Sequence, residues 1–287
     1  MDQSLKNWLI RARQEKFAIG AFNAANLEVV KAIVAAAEET QSPVIIEASQ
    51  GEIGYFGFEN LMAIVSNFRE STELPVFTNL DHGSEIEMIE KAIAVGFDMV
   101  HFDGSDLEFD ENLKTSAQLT ALAHEKGILV EIEFEKIQGS SQAYLDKTAE
   151  EVQLQGEYTD PDKAAQIISK TGADILAVSI GNLHGVYQTP ETIDLSQLEK
   201  ISNLVPCFLS LHGGSGIEER QLQEAIKLGI GKVNVNTDLR LAYRQTLENV
   251  LRGSDEIKIY KFMPPVIGAV QKVVEEKIHI FGSEGKA

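Results

Sequence analysis

Short apolar runs alternate with longer amphipathic stretches along the whole chain. The runs are Phe17–Phe22, Pro43–Ala48, Pro75–Leu80, Asp98–Asp103, Ile128–Glu133, Ala173–Ile180, Pro206–Leu211 and Lys232–Val235. Each is rich in Val, Ile, Phe or Leu and most are about six residues long, as parallel strands buried on both faces tend to be. Between them lie segments such as Asn26–Gln41, where Leu27, Val30, Ile33, Val34 and Ala37 share one helical face. Gly96, Gly127, Gly172 and Gly229 fall just past helical segments and just before apolar runs, the usual place of a left-handed helix cap.

Eight strand–helix units without a hairpin signal or a linker predict an α/β fold, a (β/α)8 barrel formed as a single domain over residues 1–287. A doubly wound open sheet is the structural alternative, and the evenly distributed count of eight favours the barrel. An extra C-terminal helix, roughly Pro265–Phe281, is placed to pack across the barrel exterior or a partner subunit. The longest interruption is Lys136–Tyr158, "KIQGSSQAYLDKTAEEVQLQGEY". Its polarity and length predict a functional or mobile segment between the fifth run and the next helix.

Composition narrows the partners. The hydrophobic fraction of 44% is ample for a sizeable core. No stretch approaches the roughly 18 uninterrupted apolar residues of a bilayer span, and the opening "MDQSLKNW" lacks a signal-peptide core. The single cysteine, Cys207, excludes an internal disulfide framework and makes a reducing cytoplasm the expected location. A net charge of −19 argues against nucleic acid or an anionic membrane as partner. Any anionic ligand must therefore be held by local features such as backbone N–H groups, helix N-termini, a metal or a few placed arginines.

In a barrel, the C-terminal ends of the strands all face one cavity. Those ends carry Ser49, Asp81-His82-Gly83, Asp103, Glu131 and Glu133, His184-Gly185, His212-Gly213, and Asn234 with Asn236. His82, His184 and His212 are each followed by glycine at a strand end, whereas His101, His124 and His279 lie within a strand or helix and read as incidental. Three imidazoles from three strands form a plausible divalent site: they suit zinc and leave a position open for substrate. Their separations are too long for a local zinc motif, so the inference depends on the barrel. The loop Gly213-Gly214-Ser215-Gly216 leads into a helix, and the next strand ends in Asn234-Val235-Asn236-Thr237. Bare backbone at a helix N-terminus is suited to phosphate.

"NLDHGSE", "IGNLHGVY", "LHGGSGI" and "KVNVNTDLR", in this order, resemble the class II, metal-dependent fructose-bisphosphate and tagatose-bisphosphate aldolases. The resemblance runs from "GAFNAANLE" (Gly20–Glu28) to "IFGSEGKA" (Ile280–Ala287). It implies that His82, His184 and His212 are zinc ligands and that Asp81 exchanges a proton with the C4 hydroxyl. Asp103 and Glu133 then match carboxylates near an alternative or second metal position. Gly185, Gly213, Ser215, Asn234 and Thr237 match residues that hold the dihydroxyacetone phosphate half, some also lining a monovalent-cation (sodium or potassium) site. Ser49 and Arg240 match contacts to the distal phosphate, the arginine reaching a neighbouring subunit's site in related enzymes. A homodimer or homotetramer is implied. Asn236 reads as a fructose-type contact.

Two departures stand out. Where relatives carry an acidic residue on the loop after the fifth strand, this chain has Gln138-Gly139-Ser140-Ser141-Gln142. Aligned from the loop's other end, Glu150 and Glu151 fall near the expected acid, which predicts that one of them swings in on a mobile lid. Gln188 stands where many relatives place a phosphate-contacting lysine. The expected activity is zinc-dependent reversible cleavage of fructose 1,6-bisphosphate. The alternatives are a tagatose 1,6-bisphosphate or other ketose-phosphate aldolase, or a non-catalytic sugar-phosphate-binding barrel.

Overall fold

The structure, a computed structural model, describes residues 4–287. Ten strands form: β1 (Ile19–Asn23), β2 (Val44–Ser49), β3 (Val76–Gly83), β4 (Met99–Asp103), β5 (Leu129–Glu133), β6 (Gly139–Tyr144), β7 (Ile175–Ala177), β8 (His184–Tyr187), β9 (Phe208–Leu211) and β10 (Ile230–Val235). Eight of them close into a parallel barrel in the order β1-β10-β9-β7-β5-β4-β3-β2. All eight predicted runs supply one barrel strand each, with shifted edges. β3 runs on through Asp81 and His82, so both lie within the strand. The sixth run yields only Ile175–Ala177, because Ser179 turns aside: its N–H bonds Thr159 Oγ1 at 2.8 Å and its hydroxyl bonds the Glu157 carbonyl at 2.8 Å.

The strands alternate with period two, and this sets three layers inside the barrel. Ile19, Ala21, Ile45, Phe77, Met99, Leu129, Ile175 and Phe208 form an apolar layer, closed from below by Leu5, Leu9 and Ala12 of the helix Leu5–Glu15. One step along each strand lie Glu47, Asn79, His101, Glu131, Ser210 and Lys232, all buried and polar. Another step brings Asn23, Asp81, Asp103, Glu133, His212 and Asn234 to the C-terminal mouth. The residues between, such as Phe22, Ile46, Val100, Ile132 and Leu211, pack outward with the surrounding helices. The last helix, Pro264–Phe281, buries Val266, Val270, Val274, Ile278 and Phe281 on the barrel exterior. Its Lys277 reaches the Gly214 carbonyl at 3.2 Å.

The polar segment 136–158 is not the open loop its composition predicts. It forms β6 and a short helix, Ala149–Gln153. β6 pairs in parallel with β8 as a two-stranded sheet outside the barrel ring. Tyr144 stacks on Tyr187 with ring centroids 5.0 Å apart, and Ala149 and Leu183 complete a small apolar cluster there. Among the described residues, no helix is long and apolar enough to cross a membrane.

Candidate metal and substrate site

His82 occupies a left-handed backbone position, φ 47°, where the β3–β4 register shifts between Leu80 and Gly83. That conformation is costly for a residue with a Cβ, and its N–H is taken by His101 Nδ1 at 3.1 Å. The twist aims the imidazole into the barrel mouth. Its Nε2 lies 3.1 Å from His184 Nε2 and 3.0 Å from His212 Nδ1. The opposite nitrogens are anchored: His82 Nδ1 lies 2.7 Å from Asp103 Oδ2, and His212 Nε2 lies 2.8 Å from Glu131 Oε1. Carboxylates behind imidazoles fix the tautomer and orient the free nitrogen, as around bound metal ions.

The residues fit a divalent cation. His82 Nε2 has two ring-nitrogen neighbours at hydrogen-bond distance but can carry at most one proton, so lone pairs converge on one point. Ligand nitrogens around tetrahedral zinc sit roughly 3.3 Å apart, given Zn–N bonds of about 2.0–2.1 Å. Burial holds His184 well below the usual imidazole range, and the charge on His82 adds to this. Burial likewise drives His212 down to about 3, outweighing its bond to Glu131. Both rings are therefore neutral, the form in which imidazole can bind a metal. Burial also opposes charge on His82, but Asp81, the hydrogen bond to Asp103 and nearby Glu133 overcome it and raise the imidazole to about 10. The mouth is built to hold positive charge.

Asp81 lies against this cluster. Burial pushes its carboxyl up, but the charge of His82 holds it well below the ordinary range. Its Oδ2 accepts from Asn23 Nδ2 at 3.0 Å and its Oδ1 from Asn234 Nδ2 at 3.1 Å. Burial also works against Asp103, but its bond to His82 wins and keeps it ionised. Glu133 goes the other way: burial and the Asp103 charge raise it well above the ordinary range. His82, Asp103 and Glu133 offer ligand atoms within 4.8 Å of one another, a second possible cation set.

The cavity at this mouth is lined by Asp81, His82, His184, Gly185, His212, Gly213, Ser215, Asn234, Asn236 and Thr237, all of them anticipated from the sequence. Gly213 has φ 74°, and a Cβ there would meet the Leu183 carbonyl oxygen at 1.9 Å, so no other residue fits that turn. Ser215 Oγ accepts from the Asp238 N–H at 3.2 Å, joining the glycine loop to the helix Thr237–Gly253.

Three lining or supporting residues were not anticipated. His101, read as incidental, is fully buried with its ring 4.7 Å from that of His82 and 4.9 Å from that of His212. Its ring supports the His82 backbone and faces Asp81 and Glu133 at 3.8 and 3.5 Å. Counting back two residues from Asp103 puts it on the same strand face, a signal the sequence did carry. Asn23 and Ser141 line the cavity as well.

Six anticipated residues stand apart from the cavity lining, Asp103 and Glu133 behind His82 among them. Ser49 and Arg240 are both bonded to Glu52. Glu150 and Glu151 are exposed on the helix Ala149–Gln153. Glu151 closes a capping box, accepting from the Thr148 N–H at 2.9 Å while its own N–H bonds Thr148 Oγ1 at 3.3 Å. From this segment Ser141 faces the cavity, where β6 is paired with β8, while Glu150 and Glu151 lie outside its lining. Glu150→Gln and Glu151→Gln are expected to leave turnover within about twofold, surface changes away from the reacting centre being worth about 0.5 kcal/mol or less. Steady-state rates check this.

A barrel mouth with converging imidazole nitrogens beside an ionised carboxylate is that of a metal-dependent enzyme. The family described as "Fructose-bisphosphate aldolase class-II" matches residues 3–286. A fructose-bisphosphate aldolase of Streptococcus pneumoniae serotype 4 (strain ATCC BAA-334 / TIGR4) is 39% identical over 299 residues, covering 99% of each chain. One of Geobacillus stearothermophilus is 37% identical over 293 residues, covering 99% of this chain and 98% of its own. Among solved structures, the YdjI aldolase of Escherichia coli K12 superposes with a TM-score of 0.85 at 31% identity, over 99% of this chain and 98% of that one. The chain belongs to the class II fructose-bisphosphate aldolase family, whose members are metal-dependent.

Proposed function

We propose that the protein catalyses zinc-dependent, reversible aldol cleavage of a ketose phosphate between C3 and C4. Fructose bisphosphate is the substrate in its relatives' names, and cleavage of the 1,6-bisphosphate between C3 and C4 would give dihydroxyacetone phosphate and glyceraldehyde 3-phosphate. The observation that carries this reading is Asp81, ionised and hydrogen-bonded on both oxygens, beside the ring nitrogens of His82 and His212. Binding alone does not require a proton-accepting group at that position.

Zinc held by His82, His184 and His212 would supply Lewis-acid stabilisation of the charge left on the dihydroxyacetone half, so no Schiff-base lysine is required. Asp81 takes the C4 hydroxyl proton in cleavage and returns it in condensation. Asn23 and Asn234 keep that carboxylate aligned through both directions. Gly213, Ser215, Gly185 and Thr237, which line the cavity, would offer backbone and hydroxyl donors to the phosphate of the dihydroxyacetone half, and some of them would hold a monovalent cation, sodium or potassium. Asp103 and Glu133 hold the alternative metal position.

The whole 287-residue chain then acts as a single catalytic domain, as a homodimer or homotetramer in the cytoplasm. The test is ketose cleavage by zinc-loaded protein, followed with a coupled assay for dihydroxyacetone phosphate. Turnover that disappears with a chelator and returns with zinc is expected, and cleavage insensitive to chelator would sink the metal mechanism.

A further inference from the structure

The distal end of the substrate site is already occupied by a carboxylate of the chain itself. Glu52, only 8% exposed, collects five donors on its two oxygens. Oε2 accepts from the Ser49 N–H at 2.9 Å, Ser49 Oγ at 2.9 Å and Asn23 Nδ2 at 2.9 Å. Oε1 accepts from Arg240 at 2.6 Å and Asn236 Nδ2 at 3.3 Å. Ser49 and Arg240 are the two residues that the family resemblance assigns to the distal phosphate. Here both donate to Glu52, and Arg240 also donates to the Ser141 carbonyl at 3.1 Å.

Local helix capping explains only part of this. Glu52 is the third residue of the helix Gln50–Phe56, and a glutamate there bonds back to the cap residue's N–H. That accounts for the Ser49 backbone contact. It does not account for Asn23, Asn236 and Arg240, which come from other parts of the chain and converge on the same two oxygens. The cavity beyond them shares Asn23 and Asn236 with the metal-side cavity, and it is otherwise walled by Glu52, Arg240, Asn26 and Tyr243 with apolar neighbours. Arg240 is the one cationic residue in that lining among the described residues, and its charge is already paired. A phosphate arriving there would meet a buried carboxylate to which the Ser49 hydroxyl and one Arg240 nitrogen already donate. Hydroxyl groups would meet acceptors and amides, including the Tyr243 hydroxyl bonded by Asn26 at 3.2 Å.

We propose that Glu52 makes this aldolase select ketoses that carry a single phosphate, on the dihydroxyacetone side, with an uncharged hydroxylated distal end. This rests on the aldolase reading and deepens it. The C3–C4 bond breaks with its electron pair left on C3, and the C4 hydroxyl gives its proton to Asp81. An unphosphorylated aldehyde leaves, and C3 takes up a proton through water to give dihydroxyacetone phosphate.

The test compares kcat/KM of the zinc-loaded enzyme on fructose 1-phosphate and on fructose 1,6-bisphosphate. The wild type is expected to favour the 1-phosphate about tenfold or more. Glu52→Ala is expected to invert the ratio by freeing Ser49 and Arg240. Glu52→Gln, which keeps the size and an acceptor for the helix cap, is expected to shift it in the same direction by less. Wild-type preference for the bisphosphate, or a ratio unmoved in both variants, overturns the assignment while leaving the aldolase reading intact. No cleavage of either ketose overturns both.

Discussion

Asp81→Asn is expected to lower kcat for ketose cleavage by about 10²–10⁴, the range for removing a positioned general base. The substitution keeps the shape of the side chain and removes its capacity to take the C4 hydroxyl proton. Both oxygens of Asp81 now accept, one from Asn23 and one from Asn234. An asparagine offers a single acceptor oxygen, so one of these amides loses its partner, at a cost of about 1–3 kcal/mol. The imidazoles do not depend on that carboxylate for their anchoring, which comes from Asp103 and Glu131. Zinc content should therefore stay near the wild-type level while kcat collapses. Steady-state kinetics beside metal analysis checks this, and a kcat within tenfold of wild type would remove Asp81 from proton transfer.

The second large effect lies one layer deeper. Lys232→Met is expected to destabilise the fold by about 3–5 kcal/mol, the usual cost of stranding one partner of a buried ion pair. Lys232 is fully buried, 2.9 Å from Glu131 Oε2 and 3.6 Å from Glu47 Oε2, and it donates to Asn234 Oδ1 at 2.6 Å. Burial works against its charge, but Glu131, Glu47 and Asp81 together keep the ammonium protonated. Burial and the Asp81 charge push Glu47 up to about 8, and Glu131, at 2.9 Å, is the nearer counter-ion. Burial disfavours the Glu131 charge as well, and Lys232 leads the groups that sustain it. Because Glu131 also bonds Ser210 and His212, the loss should reach the metal site as weaker zinc affinity. Urea unfolding and zinc titration measure the two effects. Pairing Lys232→Met with Glu131→Gln should recover much of the stability by removing the stranded charge. A loss under 1 kcal/mol for the single change would show that the layer is not an ion-paired support.

Much of the site was visible in the sequence because each of its three histidines directly precedes a glycine near the C-terminal side of an apolar run. His82, His184 and His212 stand out that way, and the barrel alone explains how chain positions so far apart meet. His101 was passed over for the opposite reason. In strands buried on both faces, an apolar outer face hides the alternation that marks the inner one, so "MVHFD" reads as a plain hydrophobic run. The segment 136–158 reads as a loop because β6 is polar, and its order comes from pairing with β8 some forty residues later.

The sequence by itself determined the barrel and pointed to the three imidazoles, Asp81 and the glycine-rich loop, through local periodicity, glycine placement and the family resemblance. The tertiary structure alone decided what each polar group is bonded to. Glu52 looks like an ordinary helix-capping glutamate until Asn23, Asn236 and Arg240 are brought to it from 29, 184 and 188 residues away. Likewise Ser141 reaches the cavity because β6 is paired with β8. Contacts of that kind depend on chain closure over long separations, and no local pattern encodes them.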